Sequence, residues 1–279
     1  MSYDFGPTGS VGAVPDVVRI ILTLFAGLAT GTLSGMVGVG GAVISTPAIR
    51  ALGASPIDAV GSTLPSILPS ALSGTLSYHR RGLIVWRTVA LISISGVLAA
   101  IGGSLLSHAV PGDGHILMLI TAFLLGYTAR RMLADPTPSS PASAASTSQS
   151  PPCVAPATWK LLVTGLGAGG LSGLLGVGGG IVLVPAFSQW IRMPLKESIG
   201  TSLACVGVLA IPGTITHTVL GDIDWTFAIP LSIAVIPGAR LGAHMALRAT
   251  DRALRLQVAA LLGIVACVYA GGELTSLFF

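Results

Sequence analysis

Residues 33–48, LSGMVGVGGAVISTPA, recur at 171–186 as LSGLLGVGGGIVLVPA, and the two segments align without a gap. Nine of the sixteen positions are identical, among them Ser34 and Ser172, Gly38 and Gly176, Gly40 and Gly178, Gly41 and Gly179, and Pro47 and Pro185. The correspondence continues at an offset of 139 (200 minus 61). Gly61-Ser62-Thr63 faces Gly200-Thr201-Ser202, Gly74 faces Gly213, Gly82 faces Gly221, Trp86 faces Trp225 and Gly103 faces Gly242. A register held this far along both halves reports a duplicated unit rather than a chance glycine motif. Whatever the fold is, it is built twice.

The solvent of that fold follows from charge. Only 9% of the 279 residues are charged and 52% are hydrophobic, with a mean hydropathy of +0.86. A soluble domain carries roughly 25% charged residues, so too few are present to cover a surface in water. The apolar runs fill almost the whole length, which excludes a soluble enzyme with one anchor. The 37 Gly and 18 Pro suit close helix contacts and broken helices. An all-α polytopic membrane protein is expected, with the lipid bilayer as its surroundings. The net charge of +4 comes from 14 Lys and Arg scattered between apolar runs, which speaks for topology and not for a nucleic-acid partner. Cys153, Cys205 and Cys267 have no spacing that suggests a metal site or a disulfide framework; neither metal nor cofactor is expected. Residues 136–156 hold no charge and are mostly Pro, Ser, Ala and Thr, a flexible linker. The chain therefore divides into a tail (1–16), a first membrane repeat (17–133), a Pro/Ser-rich linker (134–158) and a second repeat (159–279).

Each repeat opens with an apolar stretch, 17–52 and 159–191, interrupted by Gly-Val-Gly-Gly, and continues with three cleaner spans. The interrupted stretch either crosses once as a kinked helix or enters, breaks and returns as a hairpin. Cytoplasmic loops are enriched in Lys and Arg, so counting decides between the two. With single crossings, one side collects Arg19, Arg80, Arg81, Arg87, Arg130, Arg131 and Lys160. The other collects Arg50, Arg192, Lys196, Arg248, Arg252 and Arg255, which amounts to no bias. With hairpins, all of these except Arg19 and Arg50 gather on one side. The hairpin reading is adopted: each repeat is a broken, re-entrant-like helical hairpin plus three transmembrane helices. The linker is then cytoplasmic and both termini are extracytoplasmic. An odd number of crossings per unit inserts the second copy upside down, and inverted repeats with discontinuous helices are a recurring design of secondary transporters.

A helix broken at Gly38-Val39-Gly40-Gly41 leaves backbone groups unpaired, which in hydrocarbon is costly unless they are buried in protein or line a polar cavity. The resuming helix offers free N–H groups and its positive dipole end, and without side chains at the glycines a small anion can approach closely. Gly176, Gly178 and Gly179 repeat the construction. The candidate substrate-binding residues are Ser34, Gly35, Gly38, Gly40, Gly41, Ser62 and Thr63 with Ser172, Gly173, Gly176, Gly178, Gly179, Thr201 and Ser202. Arg240, the one basic residue well inside a span, joins them. Competing readings stand beside these. Small residues four apart, as at Gly31/Gly35 and Gly169/Gly173, also serve helix packing. Ser and Thr bond back to their own helix, and Arg240 can be an anion ligand, a gate or an interface anchor. His217 and His244 are the candidates for a coupling proton. No metalloprotease or nucleophile-elbow motif appears, so no catalytic residue and no enzyme activity is expected.

The twin LSGxxGVGGGxxxxPA segments, the Ser/Thr cluster after each and the overall length resemble the sulfite exporter TauE/SafE family of membrane permeases. The first copy departs at one point, reading Gly41-Ala42 where the second reads Gly179-Gly180. The resemblance implies a prokaryotic inner-membrane transporter of a small sulfur-containing anion such as sulfite or an organosulfonate of the sulfoacetate type. Alternating access around the paired breaks is the leading mechanism. A passive anion channel, or a permease for another small organic anion, is the alternative, and a homodimer is left open.

Overall fold

The computed structural model describes residues 16–107, 122–123, 126–130, 158–175 and 179–278. The tail, most of the linker, most of the fourth span of the first repeat, and Gly176 and Gly178 lie outside the described residues. All described elements are helical. In the first repeat α1 is Asp16–Val37, α2 Ala42–Ala51, α3 Pro56–His79 and α4 Trp86–Ser107. In the second, α5 is Thr158–Leu175 and α6 is Gly180–Trp190, whose last turn, Ala186–Trp190, is a π-turn. It is followed by α7 (Leu195–Leu220), α8 (Trp225–Arg248) and α9 (Asp251–Phe278). Four of these, within α1, α4, α7 and α8, are long and apolar enough to cross a membrane. This is an all-α polytopic membrane protein.

The interrupted stretches fold back. A Cβ on Gly41 would stand 2.9 Å from Thr30 Cγ2, and one on Gly179 would stand 3.0 Å from the carbonyl carbon of Ala168. Both pairs are eleven residues apart (41 minus 30, 179 minus 168), a distance of about 16 Å along an unbroken helix. The returning α6 brings the Trp190 ring against Trp159 at the start of α5, edge to face with centroids 6.1 Å apart. Gly38 and Gly40 make the turn with φ of +76° and +82°, and Gly179 with +66°, a left-handed region that only glycine enters without strain.

Neighbouring pairs give the sense of each helix. Along α1 and α8 the close approaches rise together: Gly27 with Leu231, Gly31 with Val235, Gly35 with Ala239. The same holds for α4 and α5, with Ile92 beside Gly165, Gly96 beside Gly169 and Ala100 beside Gly173. Ser62 with Asp224 and Ser73 with Ile236 put α3 in step with α8. By contrast, α3 and α7 are opposed, since Tyr78 meets Gly200 and Leu64 meets Gly213. Hence α1, α3 and α8 run one way and α4, α5 and α7 the other. Corresponding helices, α1 with α5, α3 with α7 and α4 with α8, run in opposite senses.

Two glycine seams hold these helices together. A Cβ on Gly31 would lie 2.8 Å from Val235 Cα, and one on Gly169 would lie 2.6 Å from Gly96 Cα. In lipid, where no hydrophobic force drives helices together, such backbone approach and its van der Waals contacts are the main source of association. The packing reading of Gly31/Gly35 and Gly169/Gly173 therefore holds at all four positions.

The helix directions place Arg80, Arg81, Arg87, Lys160, Arg192, Lys196, Arg248 and Arg252 at one end of the bundle. Arg19, Arg50, Asp58, Asp222 and Asp224 lie at the other. At the basic end Lys196 donates to the Leu247 carbonyl at 3.2 Å, tying the start of α7 to the end of α8. At the opposite end Arg19 lies 3.8 Å from Asp224 and stacks 4.0 Å over the Phe227 ring. Cysteines placed at the exposed Val17 and Ala51 are expected to react with an impermeant maleimide from the same side of the membrane. Labelling from opposite sides would make the stretch a single crossing.

Candidate functional site

The first break ends α1 with carbonyls that have lost their helical donors. Two side chains replace them, while the Ser34 carbonyl keeps its helical donor, Gly38 N–H at 2.8 Å: Tyr78 O–H donates to the Gly35 carbonyl at 3.0 Å and Ser202 O–H to the Gly38 carbonyl at 2.8 Å. Tyr78 comes from α3 and Ser202 from α7, so a break in the first repeat is closed in part by the second. Gly38 also rests on α7, where a Cβ would come 3.0 Å from Ile199 Cα.

The breaks touch each other. Gly180, the first residue of α6, lies so close to Val39 that a Cβ on it would overlap the Val39 backbone, 2.6 Å from its Cα. Val39, Gly40, Gly41, Gly179 and Gly180 are all buried, so neither described part of the breaks faces lipid.

Around the first break the polar groups are hydroxyls. Ser70 O–H donates to Ser34 Oγ at 3.0 Å. Thr30 is 1% exposed and its hydroxyl has no hydrogen-bond partner. Thr30 and Ser70 were not among the residues singled out from sequence; the repeat alignment could have flagged them, because they stand opposite Ala168 and Leu209. Ser172, the counterpart of Ser34, is 1% exposed and its hydroxyl has no partner.

The Ser/Thr cluster after each break is divided by the structure. Ser62 Oγ accepts the Asp224 N–H at 2.8 Å, and Thr201 Oγ1 accepts the Val85 N–H at 3.2 Å. Positions 62 and 201 correspond, as do 85 and 224, so one contact is made twice: a hydroxyl of one repeat caps the third long helix of the other. On the opposed helices α3 and α7, Leu64 meets Gly213, so Ser62 is level with residue 215. Thr201 is therefore fourteen residues away, about 21 Å, and one small anion does not reach both. Thr63 donates to the Val60 carbonyl at 2.9 Å and stands 3.4 Å from Thr46 Oγ1. Of the four residues, the structure brings Ser202 to the break.

Gly35 and Gly173 face the seams, against Ala239 and Ala100. Arg240 and His244 are exposed on α8, outside the buried hydroxyl cluster. His217 is fully buried with Nδ1 2.7 Å from Asp222 Oδ2, eighteen residues along α7 from Ile199, about 27 Å from the first break. No group of three or more His, Cys, Asp or Glu that could hold a metal occurs among the described residues.

The chain matches the family described as "Sulfite exporter TauE/SafE" over residues 23–269. It is 27% identical to a "Probable membrane transporter protein" of Xylella fastidiosa (strain 9a5c), covering 91% of this chain and 95% of the relative. It is 26% identical to the "Probable membrane transporter protein YjnA" of Bacillus subtilis (strain 168), covering 88% and 96%. No solved structure matches.

Two expectations follow from the geometry. Gly180→Ala is expected to lower stability by about 1–3 kcal/mol, the cost of overpacking. It should do so even though the corresponding position in the first repeat, Ala42, already carries a Cβ; wild-type thermal unfolding in detergent would contradict the contact between breaks. Ser62→Ala and Thr201→Val each leave a backbone N–H without its acceptor, at about 1–3 kcal/mol. Because the sites are far apart, the double variant is expected to show the sum within about 0.5 kcal/mol.

Proposed function

The chain belongs to the sulfite exporter TauE/SafE family, and we propose on that premise that it is a secondary transporter exporting a small sulfur-containing anion. The family and the printed names of its relatives support a membrane transporter, and sulfite or an organosulfonate is the finer reading. One observation carries it: two interrupted helices from repeats of opposite helix sense meet backbone to backbone inside the bundle, at the buried Val39 and Gly180. Among the described residues the buried polar side chains are Ser, Thr and Tyr78 apart from His217 and Asp222, and no Lys or Arg is buried. Hydroxyls, backbone N–H groups and a helix N-terminus bind an anion without a formal countercharge, so a passing solute can leave again.

On this reading the two repeats are inserted in the bilayer with opposite orientation. The basic end and the linker face the cytoplasm, and both termini face outward from a prokaryotic inner membrane. Alternating access rocks one repeat against the other around the breaks. The cross-repeat caps from Ser62 and Thr201 are the contacts that such rocking has to make and break or carry along. A coupling proton, where one is used, is carried by the buried His217–Asp222 pair; the exposed His244 and Arg240 are then interface residues.

Purified protein in proteoliposomes tests the reading. Labelled sulfite is expected to accumulate against its gradient when a pH gradient is imposed, and His217→Gln to abolish that dependence. Flux that only follows the electrochemical gradient would make the protein a channel. Absence of flux for sulfite, thiosulfate and sulfonates alike would remove the substrate class.

A further inference from the structure

One face of α8 is exposed along its whole length. Ile229, Ile233, Pro237, Arg240, His244 and Arg248 line it, all within about 100° of the helix circumference. Its first half is aliphatic and its second half basic, with Arg240, His244 and Arg248 one turn apart. We propose that this basic ladder binds the phosphodiester headgroup of an anionic phospholipid, held by Arg240 and Arg248 with His244 between them. The site lies on the outside of the bundle, away from the breaks, and goes beyond the transporter reading.

Depth carries the argument. Trp225, exposed at the start of α8, marks the interface at the end of the bundle that holds Asp222 and Asp224. A hydrocarbon core of about 30 Å measured from there is used up after about twenty residues, near position 245. Arg240 is fifteen residues on (240 minus 225), so its Cα is about 8 Å short of the far boundary. Arg248 stands beyond that boundary and His244 close to it. The bias of Lys and Arg towards one side of a membrane accounts for Arg248, but not for a charge one to two turns inside hydrocarbon. Such a charge is costly unless something neutralises it. Among the described residues no carboxylate does so, and the exposed Asp251 at the start of α9 forms no ion pair with any of the three. What faces this surface is lipid. The Cα–Cβ bonds of a helix tilt towards its N-terminus, so Arg248 leans back towards His244. Arg240 has to extend the other way to reach the interface. The two guanidinium groups therefore converge at headgroup level, where a phosphate accepts from both.

The repeat supplies a control. Ile101 and Leu105 of α4 stand opposite Arg240 and His244 at the offset of 139, and both are exposed. The same face of the same element is thus aliphatic in the first repeat, so the fold does not need charge there. Because α4 and α8 run in opposite senses, Ile101 and Leu105 belong to the other leaflet. The charged version occurs at the end of the bundle that carries most of the Lys and Arg, where the anionic lipids of a cytoplasmic leaflet lie.

Thermal unfolding and native mass spectrometry of the full-length protein in micelles test this. A micelle has no leaflets, so neither the orientation nor transport enters the result. Phosphatidylglycerol added to the micelles is expected to raise the unfolding temperature by ~3 °C or more over phosphatidylcholine. Arg240→Gln and Arg248→Gln should each lose more than half of that gain, and Arg81→Gln, at the same end but off this face, should keep it. The wild type should retain phosphatidylglycerol at least fivefold better than phosphatidylcholine in the mass spectrometer, and Arg240→Gln should lose the preference. Inorganic phosphate at the same concentration should give no gain. If Arg240→Gln fails to fold, Arg240→Lys, which keeps the charge, should keep the lipid preference while Arg248→Gln still loses it. Equal gains in the wild type and both glutamine variants, or an equal gain from inorganic phosphate, would overturn the proposal. A dimer that Arg240→Gln dissociates would overturn it too, giving the face to a second copy of the chain.

Discussion

An interrupted helix inside a bilayer has to find partners for its backbone in the protein itself, and the architecture follows from that requirement. At the end of α1 the Gly35 carbonyl is satisfied by Tyr78 and the Gly38 carbonyl by Ser202. One donor is a neighbour within the repeat, and the other comes from the opposite repeat. The hairpin turn of the first repeat is therefore not closed without the second. Gly180 against Val39 adds a contact in which the two turns support each other directly. A single repeat would present these groups to lipid, where each unpaired one costs several kcal/mol.

The same interdependence recurs away from the centre. The seams pair α1 with α8 and α4 with α5, so each crosses from one repeat to the other. Ser62 and Thr201 do likewise, each capping a helix of the other half. Most of the strong contacts thus run between repeats, while α2 and α6, the short returning helices, lie within their own hairpins. The symmetry ends at the side chains, since hydroxyls cluster round the first hairpin and aliphatic groups round the second.

The duplication, the membrane setting and the break positions were legible because each has a one-dimensional signature. Gly38, Gly40 and Gly179 recur in a fixed motif and do adopt left-handed backbone. Charge parity pointed to hairpins, and the return of Trp190 to Trp159 is one. The site was less legible. Ser62 and Thr201 belong to the same motif as Thr63 and Ser202, yet a difference of one residue on a helix turns a side chain by about 100°. That rotation sends two of them to cap other helices and leaves Ser202 at the break. Arg240 drew notice because it is a charge within an apolar run, and it lies on the exposed face of α8. Thr30 and Ser70 carry no local signal at all, and only their apolar counterparts mark them.

The amino-acid order by itself determined that the chain lives in lipid, that it is one unit made twice, and where each copy breaks. Composition, periodicity and glycine placement act locally or add up along the chain, so they survive without coordinates. Which hydroxyls meet, and which half holds them, was decided only by tertiary structure. That choice depends on how antiparallel helices slide and rotate against one another, and residues 40 positions apart, such as Thr30 and Ser70, become neighbours through packing alone.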